Sequence, residues 1–297
     1  MKMKINHIWT LMAVLPLAAV LSACSVDISG DDPAEIRLSL SYPGTKATDD
    51  GFGAGDLAGV YITRYAEDGK ALPLQVGGNY ASNIKASFDG STWSLTPKMY
   101  WEDGMTYDVY AYYPYMDVTS VSAMPFSVSE DQNVGATATS MSAYEASDFL
   151  WAKRTKVSQT ATLPLTFSHK MSKVIVNIVK GNDYEGDIPQ NLDIYIHNTV
   201  TDALIDFTTG DVVKDPYSSA RSIRMKKTGV DSFEAIVVPQ RIANRLPMFE
   251  VMSDDVSYLL ETKFVYSPGM CHTVNITINN NPEQVRIDIG GYVEGWN

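Results

Sequence analysis

Two cysteines in 297 residues leave little room for covalent bracing. Cys24 closes an apolar N-terminal stretch and is consumed there, as argued below, so Cys271 has no internal partner and the fold must rest on core packing and sheet hydrogen bonds. Cys271 stands before a strand-like run and reads as a small buried hydrophobe. Histidine is as scarce. His7, His169, His197 and His272 show no metal-ligand spacing, so no metal and no cofactor is expected. Basic residues are in deficit, 23 Lys and Arg against 35 Asp and Glu, which excludes nucleic acid as a partner. No run reaches the roughly 20 consecutive apolar residues of a membrane span. A long amphipathic helix is missing too, and so is a Gly-x-Ser-x-Gly elbow that would make His169 part of a nucleophilic site.

What is present begins at the N-terminus. Lys2 and Lys4 form a positive n-region, and Leu11 to Leu21 form an apolar stretch broken by Pro16. Polar Ser25, Asp27 and Ser29 follow too soon for a span, so residues 1–23 read as a secretory signal. Leu21-Ser22-Ala23-Cys24 looks like a bacterial lipobox, with small residues before the cut and Cys24 as the lipidated thiol. Loss of the two lysines with the signal moves the formal net charge from −12 to −14. Residues 24–33 are polar and acidic and read as a flexible tether that holds the folded part away from the membrane.

From Glu35 the pattern becomes that of half-buried strands. Ile36, Leu38, Leu40 and Tyr42 alternate with Glu35, Arg37, Ser39 and Ser41, and Pro43-Gly44 ends the run. A loop from Thr45 to Gly55 carries Lys46. Strands are predicted at Gly59 to Tyr65, near Trp93 to Leu95 and at Thr106 to Tyr113. Ser120 to Ala143 reads as long loops with short strands. Alternation resumes at Leu163, Leu165, Phe167, then at Val174, Val176, Ile178, and at Leu192, Ile194, Ile196. Ala235 to Val238, Tyr258 to Tyr266 and Val274 to Ile278 continue it, with Pro268-Gly269 turning the last pair into a hairpin. After Asn279-Asn280-Asn281-Pro282, a final strand carries Val285, Ile287 and Ile289. The chain is therefore all-β. Its 274 residues beyond the signal suit two domains, 34–162 and 163–297.

Candidate chemistry is thin. The pairs Glu102/Asp103 and Asp254/Asp255 could serve glycoside hydrolysis only across a sugar, yet adjacent strand residues face opposite ways and both pairs look like turns or edges. Asp49, Asp50 and Asp56 lie among glycines without EF-hand spacing. Tyr107, Tyr110, Tyr112, Tyr113 and Tyr115 could stack on sugars, although alternation sends about half of them to a core. No enzyme is expected.

Several segments, in order, resemble the fimbrillins, lipoprotein-derived subunits of the type V pili of gut and oral anaerobic bacteria. They are Gly55-Asp56-Leu57-Ala58-Gly59-Val60-Tyr61, Met99-Tyr100-Trp101, Tyr110-Ala111-Tyr112-Tyr113-Pro114-Tyr115 and Asp148-Phe149-Leu150-Trp151-Ala152. Phe167 to Val174, Ile236-Val237-Val238-Pro239-Gln240, and Pro268-Gly269 before Val274 to Ile278 complete the series. The resemblance implies two tandem transthyretin-like β-sandwich domains and, in polymerising members, a cut after a basic residue of the first loop. Lys46 is the matching position, where stalk subunits usually carry Arg, and Arg37 is the alternative inside the strand. The implied scheme removes the strand of Ile36, Leu38, Leu40 and Tyr42 and refills its groove with a neighbour's strand, the donor here being Val285, Ile287 and Ile289. The implied partners are other fimbrial subunits, as a homo- or heteropolymer, the outer membrane through the lipid before processing, and host or bacterial surface glycans or proteins. Stalk, tip and anchor roles all stay open, and so does a surface carbohydrate-binding lipoprotein that does not polymerise.

Overall fold

In a computed structural model of the chain, which describes residues 33–41, 51–253, 256–280, 286–288 and 293–296, the predicted alternation has become strand after strand. The one helix among the described residues, α1 (Ala143–Ala146), has four residues and is closed by a capping box between Ser142 and Glu145. The first half holds β1 (Leu38–Ser41), β2 (Leu57–Arg64), β3 (Ala81–Phe88), β4 (Trp93–Thr96), β5 (Tyr107–Tyr113), β6 (Met124–Ser127), β7 (Leu150–Val157), β8 (Leu163–Thr166) and β9 (Ser168–His169). Its main sheet runs β4-β3-β2-β5-β7-β9, and β1 pairs in parallel with β8 in a separate two-stranded sheet.

Strands β2 and β5 are buried on both faces, which is why they read as near-continuous apolar runs. Ala58, Val60, Ile62, Val109 and Ala111 face the first core together with β1 and β8, whereas Tyr61, Tyr110 and Tyr112 face the second. Gly59 stands opposite Tyr112, whose ring would lie 2.1 Å from a Cβ at that position, so only glycine fits.

The second half holds β10 (Ser172–Lys180), β11 (Asp193–Val200), β12 (Asp202–Asp206), β13 (Asp211–Lys214), β14 (Ala220–Arg224), β15 (Lys226–Lys227), β16 (Ser232–Val237), β17 (Gln240–Ser253), β18 (Val256–Tyr266), β19 (Met270–Ile278), β20 (Arg286–Asp288) and β21 (Val293–Gly295). One sheet runs β15-β16-β10-β19-β20, with β21 also on β19, and another runs β14-β11-β17-β18. Val174, Val176, Val274 and Ile276 of the first share a core with Ile194, Ile196, Phe249 and Phe264 of the second. Each strand contributes alternate residues, as two sheets stacked face to face require.

The halves are joined by strand pairing and by aromatic packing. Strand β6 of the first half pairs with β12 of the second. Phe207 stacks on Tyr112 with ring centroids 4.7 Å apart, and its carbonyl accepts the Trp151 indole N–H at 2.9 Å. Leu163, Leu165 and Phe167, beyond the anticipated boundary at 162/163, sit in the first core because β8 pairs with β1 rather than with any strand of the second half. The segment from Ser120 to Ala143 contains the short strand β6. Residues 240–253, for which no strand is predicted from sequence, form β17.

Candidate functional site: a groove covered by the leading strand

The leading segment changes partner as it runs. Trp101 donates its backbone N–H to the Ala34 carbonyl and Ile36 donates to Met99, both at 2.8 Å, with Glu35 bridged to Tyr100 in antiparallel fashion. Beyond that point Leu163 donates to the Arg37 carbonyl at 2.8 Å and Phe167 to that of Ser41 at 2.7 Å, framing the parallel ladder with β8. Odd-numbered residues of β8 therefore aim their N–H groups at β1, so Pro164, which has none, faces the opposite edge and ends the sheet there.

Alternation places Ile36, Leu38 and Leu40 in the first core at 2%, 5% and 6% exposure. They lie with Trp93, Leu95, Trp101, Leu163, Leu165 and Phe167. On its other side β1 faces β4 across an open cleft of about 720 Å³, lined by Ile36, Leu38, Leu40, Trp93, Leu95 and Lys98 among others. Strand β1 is thus bonded along one edge and open along the other, and its apolar side chains fill a groove beneath it. Arg37 points outward, its guanidinium a loose 3.9 Å from Glu35, which also pairs with Lys98 at 3.1 Å. Its backbone is held in the ladder, so the scissile bond of that alternative cut lies inside paired structure. Cys24, Tyr42 and Lys46 lie outside the described residues.

At the other end, β20 pairs antiparallel with β19, placing Ile287 opposite Ile276, and β21 pairs with the start of the same strand. Val285 and Ile289 lie outside the described residues. Trp296 closes the segment. Its backbone donates to Gly269 at 2.9 Å, its ring is 4% exposed, and its indole Nε1 is buried without a hydrogen-bond partner. Sequence reasoning gave Trp296 no role, although a lone aromatic after Gly290-Gly291 at the close of an alternating strand was a usable signal.

The remaining polar residues are tied into structure. His169 Nδ1 lies 2.8 Å from an Asp148 carboxylate oxygen. Lys173, 2% exposed, meets Glu234 at 3.2 Å, and Glu234 accepts the Tyr144 hydroxyl at 3.0 Å. A ladder crosses four strands where Ser222 meets His197 at 2.6 Å, His197 meets Glu250 at 2.8 Å, and Ser257 donates to Glu250. The Ser257 hydroxyl, helped by His197, holds the Glu250 carboxyl below its usual range. Burial pushes the Cys271 thiol up to about 11, which makes it a poor nucleophile. Glu102 pairs with Arg64, and Asp56 accepts from Gly53 and from the Tyr113 hydroxyl, so these carboxylates organise turns. Tyr107, Tyr110 and Tyr112 are buried, while Tyr113 and Tyr115 are half-buried. Among the described residues no group of three or more His, Cys, Asp or Glu could hold a metal ion.

The fold is shared with solved proteins of Bacteroides species. A candidate cell adhesion protein of Bacteroides ovatus superposes with a TM-score of 0.66 at 21% identity, covering 89% of this chain and 98% of its own. One from Bacteroides uniformis gives 0.65 at 18% identity over 89% and 98% of the two chains. A fimbrial protein of Bacteroides vulgatus gives 0.54 at 14% identity over 89% and 99%. At these identities the likeness is one of fold. No curated protein matches the chain. The model of the fimbrillin-like family matches residues 45–296, and the chain belongs to that family.

Proposed function

We propose that the chain is a structural and adhesive subunit of a cell-surface fimbrium, exported as a lipoprotein on Cys24 and assembled by strand exchange between copies or with other subunits. In this reading proteolysis in the loop at Lys46 frees the leading strand, and Ile36, Leu38 and Leu40 leave a groove that the Val285–Ile289 strand of a neighbour fills. Two sandwiches, the first running past 34–162 to take in β8 and the second making up the rest of 163–297, are the repeating unit. The observation that carries the reading is that β1 buries three aliphatic side chains while its edge toward β4 is open. Three such side chains contribute roughly 1.5–3 kcal/mol each, so an emptied groove gains strongly from any matching strand. Membership of the fimbrillin-like family supports the same reading.

The test is limited treatment of the purified protein with a Lys-directed protease. Release of the leading segment together with a ladder of detergent-resistant polymers is the expected result. Cutting that yields neither removes strand exchange for this chain.

The alternative, a carbohydrate-binding surface lipoprotein that does not polymerise, draws on aromatic content. Burial of Tyr107, Tyr110 and Tyr112 lowers what is left for a sugar platform. Glycan-array binding abolished by changing an exposed ring such as Tyr217, at 94% exposure, would favour it.

A further inference from the structure

Strand β18 is an edge, and among the described residues its only strand partner is β17. It runs 11 residues, and from Ser257 onward its odd positions are exposed. Leu259 and Val265 are 54% and 51% exposed, large apolar groups on an edge with unpaired backbone donors and acceptors. Between them stand Glu261 and Lys263, of opposite sign and on the same face.

We propose that β18 is a homodimerisation edge, pairing antiparallel with β18 of a second copy about a twofold axis through Thr262. This goes beyond the fimbrial reading and needs neither proteolysis nor strand exchange.

The register follows from geometry and then from charge. In a symmetric antiparallel pair, exposed odd positions must oppose odd positions, because side chains of one face lie together and outward backbone groups must meet outward ones. That restricts the axis to positions that pair residues of like parity. An axis at Glu261 sets Glu261 against itself, and one at Lys263 sets Lys263 against itself, both repulsive. An axis at Thr262 sets Glu261 of each copy against Lys263 of the other, twice by symmetry, and Leu259 against Val265, also twice. An axis at Leu260 instead leaves Lys263 opposite Ser257 and Glu261 opposite Leu259. Pro268 ends the ladder just past its last pair, since it has no N–H to give. Charges do guard edges against promiscuous pairing, but this spacing rejects other registers while accepting one copy of itself. The cis partner of Glu261, Arg245, sits 3.8 Å away with both side chains more than half exposed, a loose pair that strand pairing can displace. One strand pair is a small interface, so the dimer belongs in the micromolar range rather than the permanent class.

The experiment measures mass by light scattering and sedimentation on the full chain as the cell makes it, solubilised in detergent, with circular dichroism as the check on folding. Wild type is expected to pass from monomer to dimer across micromolar concentration. Lys263→Glu and Glu261→Lys should each raise the dissociation constant roughly tenfold or more, and the doubly exchanged Glu261→Lys with Lys263→Glu should restore it. Chains carrying Leu259→Cys and Val265→Cys should cross-link to one another and neither to itself. A wild type that stays monomeric to several hundred micromolar overturns the proposal. So does a dimer indifferent to both single exchanges, or one that the double exchange fails to restore.

Discussion

Trp296 lies flat on His169, ring centroids 3.8 Å apart and planes 9° apart, with the Lys173 ammonium 5.9 Å from the indole. The contact ties the last described residue of the chain to the short strand at the junction of the halves. It therefore fixes the end of the segment that would have to leave its own sheet in a strand exchange.

Trp296→Ala should loosen that segment ahead of the rest. Truncating a buried Trp costs about 3–5 kcal/mol in a core, which is an upper bound here because β21 can detach alone. The buried, unpartnered Nε1 already subtracts from the attachment. Hydrogen exchange should show backbone amides of residues 270–272 and 293–296 losing protection while β10 and β16 keep theirs. Equal loss throughout the second half would show the Trp to be an ordinary core residue.

Strand β1 offers a contrast within adjacent positions. Leu38→Ala removes a side chain that is 5% exposed among Leu163, Trp93 and Leu95, and should cost about 2–5 kcal/mol in denaturant unfolding. Ser39→Ala, on the exposed face, should change stability by less than about 0.5 kcal/mol. Similar small effects at both positions would mean that the groove is not closed by this strand in solution.

The two positions also show what was legible in the sequence. Strict alternation from Glu35 marked the strand and its buried set, because a period of two admits only one assignment once one face is apolar. Its partners were not legible, since Met99-Tyr100-Trp101 and Leu163–Thr166 are remote in sequence and no local pattern says which edges meet. Pro164 held a clue, as a proline inside an alternating strand marks an edge. Strand β17 escaped because bulges break its register between Ile242 and Leu246 and again between Pro247 and Phe249, scrambling the alternation that betrays other strands. The split of Tyr107 to Tyr113 between two cores was predictable only in part: a period of two separates the faces but does not reveal that both are covered.

Lys173 and Glu234 form an ion pair with side chains only 3% and 6% exposed. Removing one partner leaves the other charge in apolar surroundings, whereas replacing both need not cost anything. Lys173→Met should destabilise by about 3–5 kcal/mol, and adding Glu234→Leu should recover most of that loss. A double-mutant cycle on urea unfolding measures the coupling. Additive losses would place the energetic weight on the Tyr144 hydroxyl bond to Glu234 instead.

His272 gives the fold a pH dependence of definite sign. The ring is 4% exposed, packs near Phe264, and its Nε2 accepts the backbone N–H of Ser267 at 3.1 Å, which requires the neutral form at that nitrogen. Burial holds its pKa below the ordinary histidine value of 6.5. The unfolded chain therefore takes up a proton at this residue before the folded one does. The contribution is fully present above about pH 6.5 and is lost as pH falls below it toward the depressed folded value. One proton can tilt stability by at most about 1.4 kcal/mol per pH unit, so the effect is best read as a difference. The stability of wild type should fall more steeply between pH 7 and pH 5 than that of His272→Gln, whose amide cannot charge. Parallel curves would mean that the ring is hydrated or already protonated in the folded protein.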